Sequence, residues 1–372
     1  MKSIQKRKPN VNRKKSGSGS VSIFSYIPPG FEIYSSLRFP YQKWKRENMR
    51  LAKIYEQGET QGLIINSGRL KSERLKDCSR FIVVDATTGR AVFGRDAEYI
   101  NVRGRKTKVR MWLCKTRLCP VCGYWRARRL GKKVYRIISA LKEEKRKLAY
   151  SLLTLTSKNC SIDELDETLD KIMEAWNRLT TYAAWKRAIE GYIRALEITY
   201  NEKEKSFHIH LHLLLAVDAV SYFTKDSSIY LSQRDFQAMW KKALRVDYDP
   251  IVDIRRTKGN TAKVVSEIVK YTVKPEDYIK DGDIAFSMEA IVALDRLLHK
   301  RRAFSLGGIF NKKAKELSEQ IETEDSEEAE EVELEPIPEA RLRAYFFHNG
   351  FYIRRKEENG GNANNTSTNN TS

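Results

Sequence analysis

Residues 192–217 read YIRALEITYNEKEKSFHIHLHLLLAV, and the alternation within them decides the fold. From Phe207 to Leu213 apolar and imidazole side chains alternate, which is the period of a β-strand. His208, His210 and His212 therefore share one face, and Ile209, Leu211 and Leu213 share the other. YIRALEITY (192–200) is a second strand, and the polar NEKEKS (201–206) supplies the turn between them.

Working outward, YSLLTLTS (150–157) is a strand and IDELDETLDKIMEAWNRLTTYAAWKRAI (162–189) one long amphipathic helix, with Ser161 as N-cap and Glu164 three residues on. SQRDFQAMWKKAL (232–244) is a helix, IVDIRR (251–256) a strand, and NTAKVVSEIVKYTVK (260–274) a further helix. The order β-α-β-β-α-β predicts an α+β domain with a ferredoxin-like, split βαβ antiparallel sheet and its helices on one face. Many activities share that architecture, so the site has to decide the function.

The chain has 372 residues, a formal charge of +21 and 41% hydrophobic residues, which excludes wholesale disorder and allows two or three domains. No run of about 18 apolar residues is present, so no spanning helix is expected. The first twenty residues lack the apolar core of a secretory signal. A cytoplasmic protein with a polyanionic partner is the expectation. Residues 1–15 hold seven basic groups and no acid, whereas 316–335 hold eleven acids and no base, the pattern of a solvated, flexible segment. These shifts divide the chain into a basic tail (1–20), an N-terminal segment without a readable role (21–74), a cysteine-rich module ending in a basic helix (75–148), a catalytic domain (149–310), an acidic linker (311–340), and a C-terminal segment (341–372) ending in an Asn/Thr/Ser-rich tail.

Three of only five histidines stand on one strand face. Imidazoles at i and i+2 lie about 7 Å apart at Cα, within reach of one ion, while the first and third lie about twice as far apart. Two of the three, with Glu197 from the neighbouring strand as a third ligand, would suit Mn²⁺ or Mg²⁺ with positions left for a phosphate oxygen. In the 260–274 helix, Glu267 and Tyr271 are four apart and share a face, with Lys270 and Lys274 as a neighbouring pair. A tyrosine can attack a phosphodiester, and a carboxylate one turn away can serve as a base.

Taken in order, SLLTLTSKN (151–159), HIHLHLLL (208–215) and EIVKYTVK (267–274) resemble the three motifs of plasmid rolling-circle replication initiators, members of the HUH endonuclease superfamily. The resemblance spans roughly residues 75–310 and includes the cysteine stretch and RRAFSLGG (301–308). It implies an HUH endonuclease fold, a metal held by two histidines around a bulky apolar residue, and Tyr271 as the nucleophile. Glu267 matches the single-tyrosine branch, in which that Glu activates water when replication ends. His210 pairs with His212 or with His208, where Ile209 replaces the proline of many relatives; His212 is favoured. The implied activity is nicking and joining of one strand of single-stranded or cruciform origin DNA, through a 5′-phosphotyrosine and a 3′-OH primer. Host helicase and polymerase are the implied partners, and Lys270 or Lys274 would stabilise charge on the phosphate. A single-tyrosine transposase or relaxase would share this chemistry. A zinc-dependent DNA-binding regulator without nuclease activity is the alternative of a different class.

Cys114, Cys119 and Cys122 form C-x₄-C-x₂-C, and since no histidine precedes position 208 the simplest fourth ligand is Cys78. Thiolates in a non-exported chain favour structural Zn²⁺ over disulfides, and Cys160 is left as a core thiol. Arg117, Trp125, Arg126, Arg128 and Arg129 surround the last cysteine, a mixture of bases and aromatics suited to DNA backbone and unstacked bases.

Overall fold

The computed structural model describes residues 29–34, 41–66, 68–89, 100–102, 105–107, 112–144, 147–224, 226–257, 265, 268–269, 273–299, 301–321 and 341–356, with side chains for all of these except 100–102, 105–107 and 318–321. Glu267, Lys270 and Tyr271, both tails and residues 322–340 of the acidic segment lie outside the described residues.

The central sheet has five strands: β5 (Leu148–Thr156), β6 (Gly191–Asn201), β7 (Ser206–Asp218), β8 (Val252–Arg256) and β9 (Phe304–Gly308). Their order is β8-β5-β7-β6-β9, with every neighbouring pair antiparallel. β7 therefore lies between β5 and β6, the two strands joined through helix α4 (Leu165–Leu179). The face bearing Ile209, Leu211 and Leu213 packs on α4 and on α7 (Gln233–Leu244), through Leu169, Ile172, Trp176, Phe236 and Trp240. Among the described residues, helix α3 (Pro120–Glu143) and helix α10 (Ile309–Ile321) pack on the other face around Ile193, Leu214 and Ala216, with Tyr150 and Leu152 beside them. At the histidine end that same face carries Thr154, Thr156, Glu197 and Thr199 instead of apolar side chains.

The helix expected over 162–189 is two helices, α4 and α5 (Ala183–Ala188). Thr180 and Thr181 turn their hydroxyls back onto the carbonyls of Asn177 (3.0 Å) and Arg178 (2.7 Å), and Tyr182 is extended, so the first helix ends there. Ser161 and Glu164 do pair, at 2.9 Å from both the amide and the hydroxyl of Ser161, but one turn ahead of the helix, which starts at Leu165. Acidity alone suggests a linker from 311, yet α10 runs to Ile321. Phe310 and Ala314 are buried and Leu317 packs beside them, spacings that put an apolar stripe on the sheet. Gly308 has φ +57°, and a Cβ there would collide with the carbonyl of Glu190, so the turn from β9 into α10 requires glycine.

The rest of the described chain builds a second sheet with its own helices, and its buried side chains continue the same core. Its sheet has the order β1-β11-β10-β2, from β1 (Phe31–Ile33), β2 (Phe81–Asp85), β10 (Leu342–His348) and β11 (Phe351–Arg355). The C-terminal hairpin thus pairs with strands more than 250 residues earlier, as in Tyr345 opposite Ile82. A small hairpin of β3 (Ile100–Val102) and β4 (Arg105–Thr107) completes the strands, and α1 (Tyr41–Thr60) and α2 (Lys71–Asp77) pack together beside them. The short helices α6 (Ala219–Tyr222) and α8 (Pro275–Tyr278) and the longer α9 (Ile284–Leu298) complete the described elements. No described helix is long and apolar enough to cross a membrane.

Candidate active site and metal centre

The register of β5, β6 and β7 sets the histidine row. His210 lies opposite Thr156 and Glu197, His212 opposite Thr154 and Ala195, and His208 opposite Thr199. Glu197 reaches diagonally, and the Nε2–H of His212 donates to its Oε2 at 2.6 Å. The Thr154 hydroxyl stands 3.2 Å from His212 Nδ1, and the Lys274 ammonium 3.8 Å from Glu197 Oε1. The His212 hydrogen bond holds the Glu197 carboxyl below its usual range, against burial, with the charges of His212, Lys274 and His210 adding to it.

The rings of His208 and His210 are 4.0 Å apart between centroids, and those of His210 and His212 lie parallel at 5.7 Å. Burial first, then repulsion from its two neighbours, pushes the pKa of His210 down to about 4. Burial also lowers that of His208. At neutral pH His210 is thus an uncharged imidazole, the form that ligates metals. The row is not drawn to a point, however. Among the described residues the cysteines are the one group of three or more metal-ligating side chains whose donor atoms all lie within 4.8 Å.

That quartet is Cys78, Cys114, Cys119 and Cys122, all buried. Sulfur separations are 3.6 Å for 78–119, 3.7 Å for 78–122 and 3.5 Å for 114–122. A disulfide would require about 2.05 Å. Four thiolates around one ion at about 2.3 Å stand ~3.8 Å apart by tetrahedral geometry, so the quartet fits a metal centre closely. Cys119 caps α3, and its sulfur accepts from the Cys122 amide at 3.4 Å; the Cys114 amide donates to Cys78 at the same distance. Cys160 is buried in the core and is not part of the quartet.

Sequence reasoning missed Lys45. The residue is 1% exposed, and its ammonium donates to the carbonyls of Lys76 (2.6 Å) and Cys78 (2.7 Å), with Leu75 at 3.4 Å. Burial lowers its pKa to about 8, against the pull of the Cys78, Cys119 and Cys114 thiolates. Tyr41, Lys45, Asn48, Ala52 and Tyr55 recur at helical spacing, so a lysine within an otherwise largely uncharged stripe was the available signal.

Of the residues expected to contact DNA, Arg117 and Arg129 are exposed, and Arg126 and Arg128 half-buried. Trp125 is 7% exposed and packs into the core with Arg128 over its ring at 5.9 Å, so it offers no free face for a base. On the 260–274 segment, Val265 and Ile268 pack with Ile193 and Leu214 on the histidine face, and Lys274 reaches Glu197 on the same face.

The family model described as "Replication protein" matches residues 105–349, well over half of the chain. Similar curated proteins include "Protein rep" of Lactiplantibacillus plantarum, 35% identical over 60% of this chain and 71% of that protein. "Protein rep" of Bacillus amyloliquefaciens is 32% identical over 71% of this chain and 77% of its own length. That of Lentilactobacillus hilgardii is 29% identical over 77% and 83%. No solved structure matches. The matched span covers both the cysteine loop and the histidine sheet, and the chain belongs to the replication-protein family, the plasmid rolling-circle initiators that its three motifs resemble.

Proposed function

We propose that this chain nicks and rejoins one strand of a plasmid origin to start and end rolling-circle replication. The observation that carries the reading is the row of histidines beside Glu197 on one sheet face, with the described neighbours of Tyr271, Ile268 and Lys274, on that same face. The strand order β8-β5-β7-β6, with α4 and α7 packed on one face, supports a ferredoxin-like, HUH endonuclease fold for residues 149–310.

In this reading His210, His212 and Glu197 hold a divalent ion, Mn²⁺ or Mg²⁺, with His208 beside them. Bound there, the ion would draw charge from the scissile phosphate. Tyr271 Oη attacks phosphorus, the bond to the 3′-oxygen breaks, and the 5′ end stays on the tyrosine while the 3′-OH primes synthesis. The phenolic proton leaves as the bond forms, and the 3′-oxygen takes one up. Lys274, with Lys270, offsets charge on the phosphate. Glu267 takes the proton of the water that later releases the strand. The cysteine quartet holds a structural Zn²⁺. The substrate is single-stranded or cruciform origin DNA, handed on to host helicase and polymerase in the cytoplasm.

Incubating the protein with Mn²⁺ and a labelled single-stranded origin, then separating it under denaturing conditions, tests the reading. A covalent adduct is expected, absent in Tyr271→Phe. Glu267→Gln should form the adduct yet fail in hydrolytic release. DNA affinity with no adduct would instead favour the zinc-dependent regulator.

A further inference from the structure

The loop between two of the quartet's cysteines does more than present sulfur. Together with α3 it encloses a pocket of about 320 Å³ lined by Leu113, Lys115, Arg117, Cys122, Arg126 and Arg129. Four of those six side chains are cationic, and none is acidic. Arg126 is fixed in place, donating through Nη1 to the Thr116 carbonyl (3.3 Å) and through Nη2 to that of Arg117 (2.6 Å). This clamps the loop to the helix. Cys114 and Cys119, both buried, pin the loop on either side of Arg117. Partial burial of the Arg117 guanidinium first, and then the facing charge of Arg126, lowers its pKa.

We propose that this pocket seats one phosphodiester of the DNA strand, at a point separate from the histidine face. The inference rests on the DNA-nicking reading above, which supplies the occupant. A phosphodiester carries one charge on oxygens that guanidinium groups grip in pairs, and the strand can run in and out of an open pocket. The seat is also tied to the site. The Tyr278 hydroxyl donates to the Leu118 carbonyl at 2.5 Å, and Tyr278 ends α8, the helix that begins directly after Lys274. Lys274 in turn stands 3.8 Å from Glu197. A phosphate held beside Arg117 therefore fixes the strand relative to the histidine face through a short, packed connection. The competing explanation is that these cations only balance the thiolates of the metal centre.

The test uses the full chain, a fluorescent oligothymidylate and a series of salt concentrations, with metal content measured alongside. Lys115→Gln, Arg117→Gln and Arg129→Gln should each weaken binding about tenfold. Each should also lower the slope of log affinity against log salt by about 0.7, the value for one phosphate on a single strand. Pairs of these substitutions should lower the slope no further, because they share one phosphate. Arg117→Lys should keep the slope, which separates charge from folding. An unchanged slope in the three variants overturns the seat, and an unchanged slope with lost metal assigns the cations to the thiolates. Adduct formation by the unaltered protein with Mn²⁺ is scored separately. An adduct with unchanged slopes removes the seat alone, whereas lowered slopes without an adduct keep the seat and remove the nicking.

Discussion

Glu197 sits opposite His210 in the β6–β7 register but bonds His212, one step along the strand, at 2.6 Å. The diagonal reach links two neighbouring positions of the row through one carboxylate, and Lys274 adds a positive charge on its other oxygen. Glu197→Ala should therefore weaken Mn²⁺ binding about 10–100-fold, whether Glu197 ligates the ion or only orients His212. Calorimetric titration of Mn²⁺ reads this without recourse to activity. Unchanged affinity would remove Glu197 from the site.

His210 gives the row a pH signature in metal-free protein. Its folded pKa of about 4 lies below the ordinary 6.5, so between those values the unfolded chain binds a proton that the folded chain refuses. Stability is full above about 6.5 and declines as the pH falls towards 4, by about 1–2 kcal/mol once partial exposure is allowed for. Melting His210→Gln across that range should show a flatter acid limb than the unaltered protein. Parallel limbs would mean that the stacked imidazoles do not set the acid response.

What the sequence made legible, and what it hid, follows from the range of each interaction. The β6–β7 hairpin and the histidine face were readable because period-two alternation is local. Cys78 could be assigned to the quartet because no histidine precedes position 208 and it is the remaining nearby thiol. The break at Thr180–Thr181 was hidden because two threonines at the end of an apolar stripe do not alter its period, although their hydroxyls end the helix. Tyr271 shows the limit in the other direction, since its motif is plain in the sequence while the residue lies outside the described structure. The second sheet was unreadable for a physical reason. β10 pairs with β2 across most of the chain, and nothing within LRAYFFH names its partner.

That long-range pairing carries its own prediction. Asp85, nearly fully buried at the end of β2, accepts from Arg341 Nη2 (2.6 Å) and Nε (3.1 Å), from the Thr87 amide (3.0 Å) and from the Thr88 hydroxyl (3.1 Å). Burial raises its pKa, but Arg341 and these other donors outweigh it and hold the carboxyl below its usual range. Asp85→Asn removes the charge from a site built for it and should cost about 2–3 kcal/mol. Hydrogen exchange should then show β10 and β11 opening more readily, with the β5–β7 sheet unaffected. Equal protection in the variant and the unaltered protein would leave the hairpin anchored elsewhere, with the Tyr352 hydroxyl bond to the Ser79 carbonyl as the remaining candidate.

Lys45 offers the sharpest test of the cysteine centre, because its effect should change with metal. The buried ammonium has carbonyl partners, and the described negative charges that draw on it most are the thiolates, followed by Asp77. With four thiolates around a divalent ion the centre carries two negative charges, and a cation beside it is favourable. With the thiols protonated, the same cation has lost its hydration for little return. Lys45→Met keeps the length and volume of the side chain. It should lower zinc affinity, read by competition with a chelating dye, about tenfold or more, and it should destabilise the metal-loaded protein by about 2–4 kcal/mol. In metal-stripped protein the same substitution should cost much less, since the buried charge goes with its partner carbonyls left to water or to relaxation. Equal losses with and without metal would show that Lys45 serves only to cap the carbonyls at the end of α2.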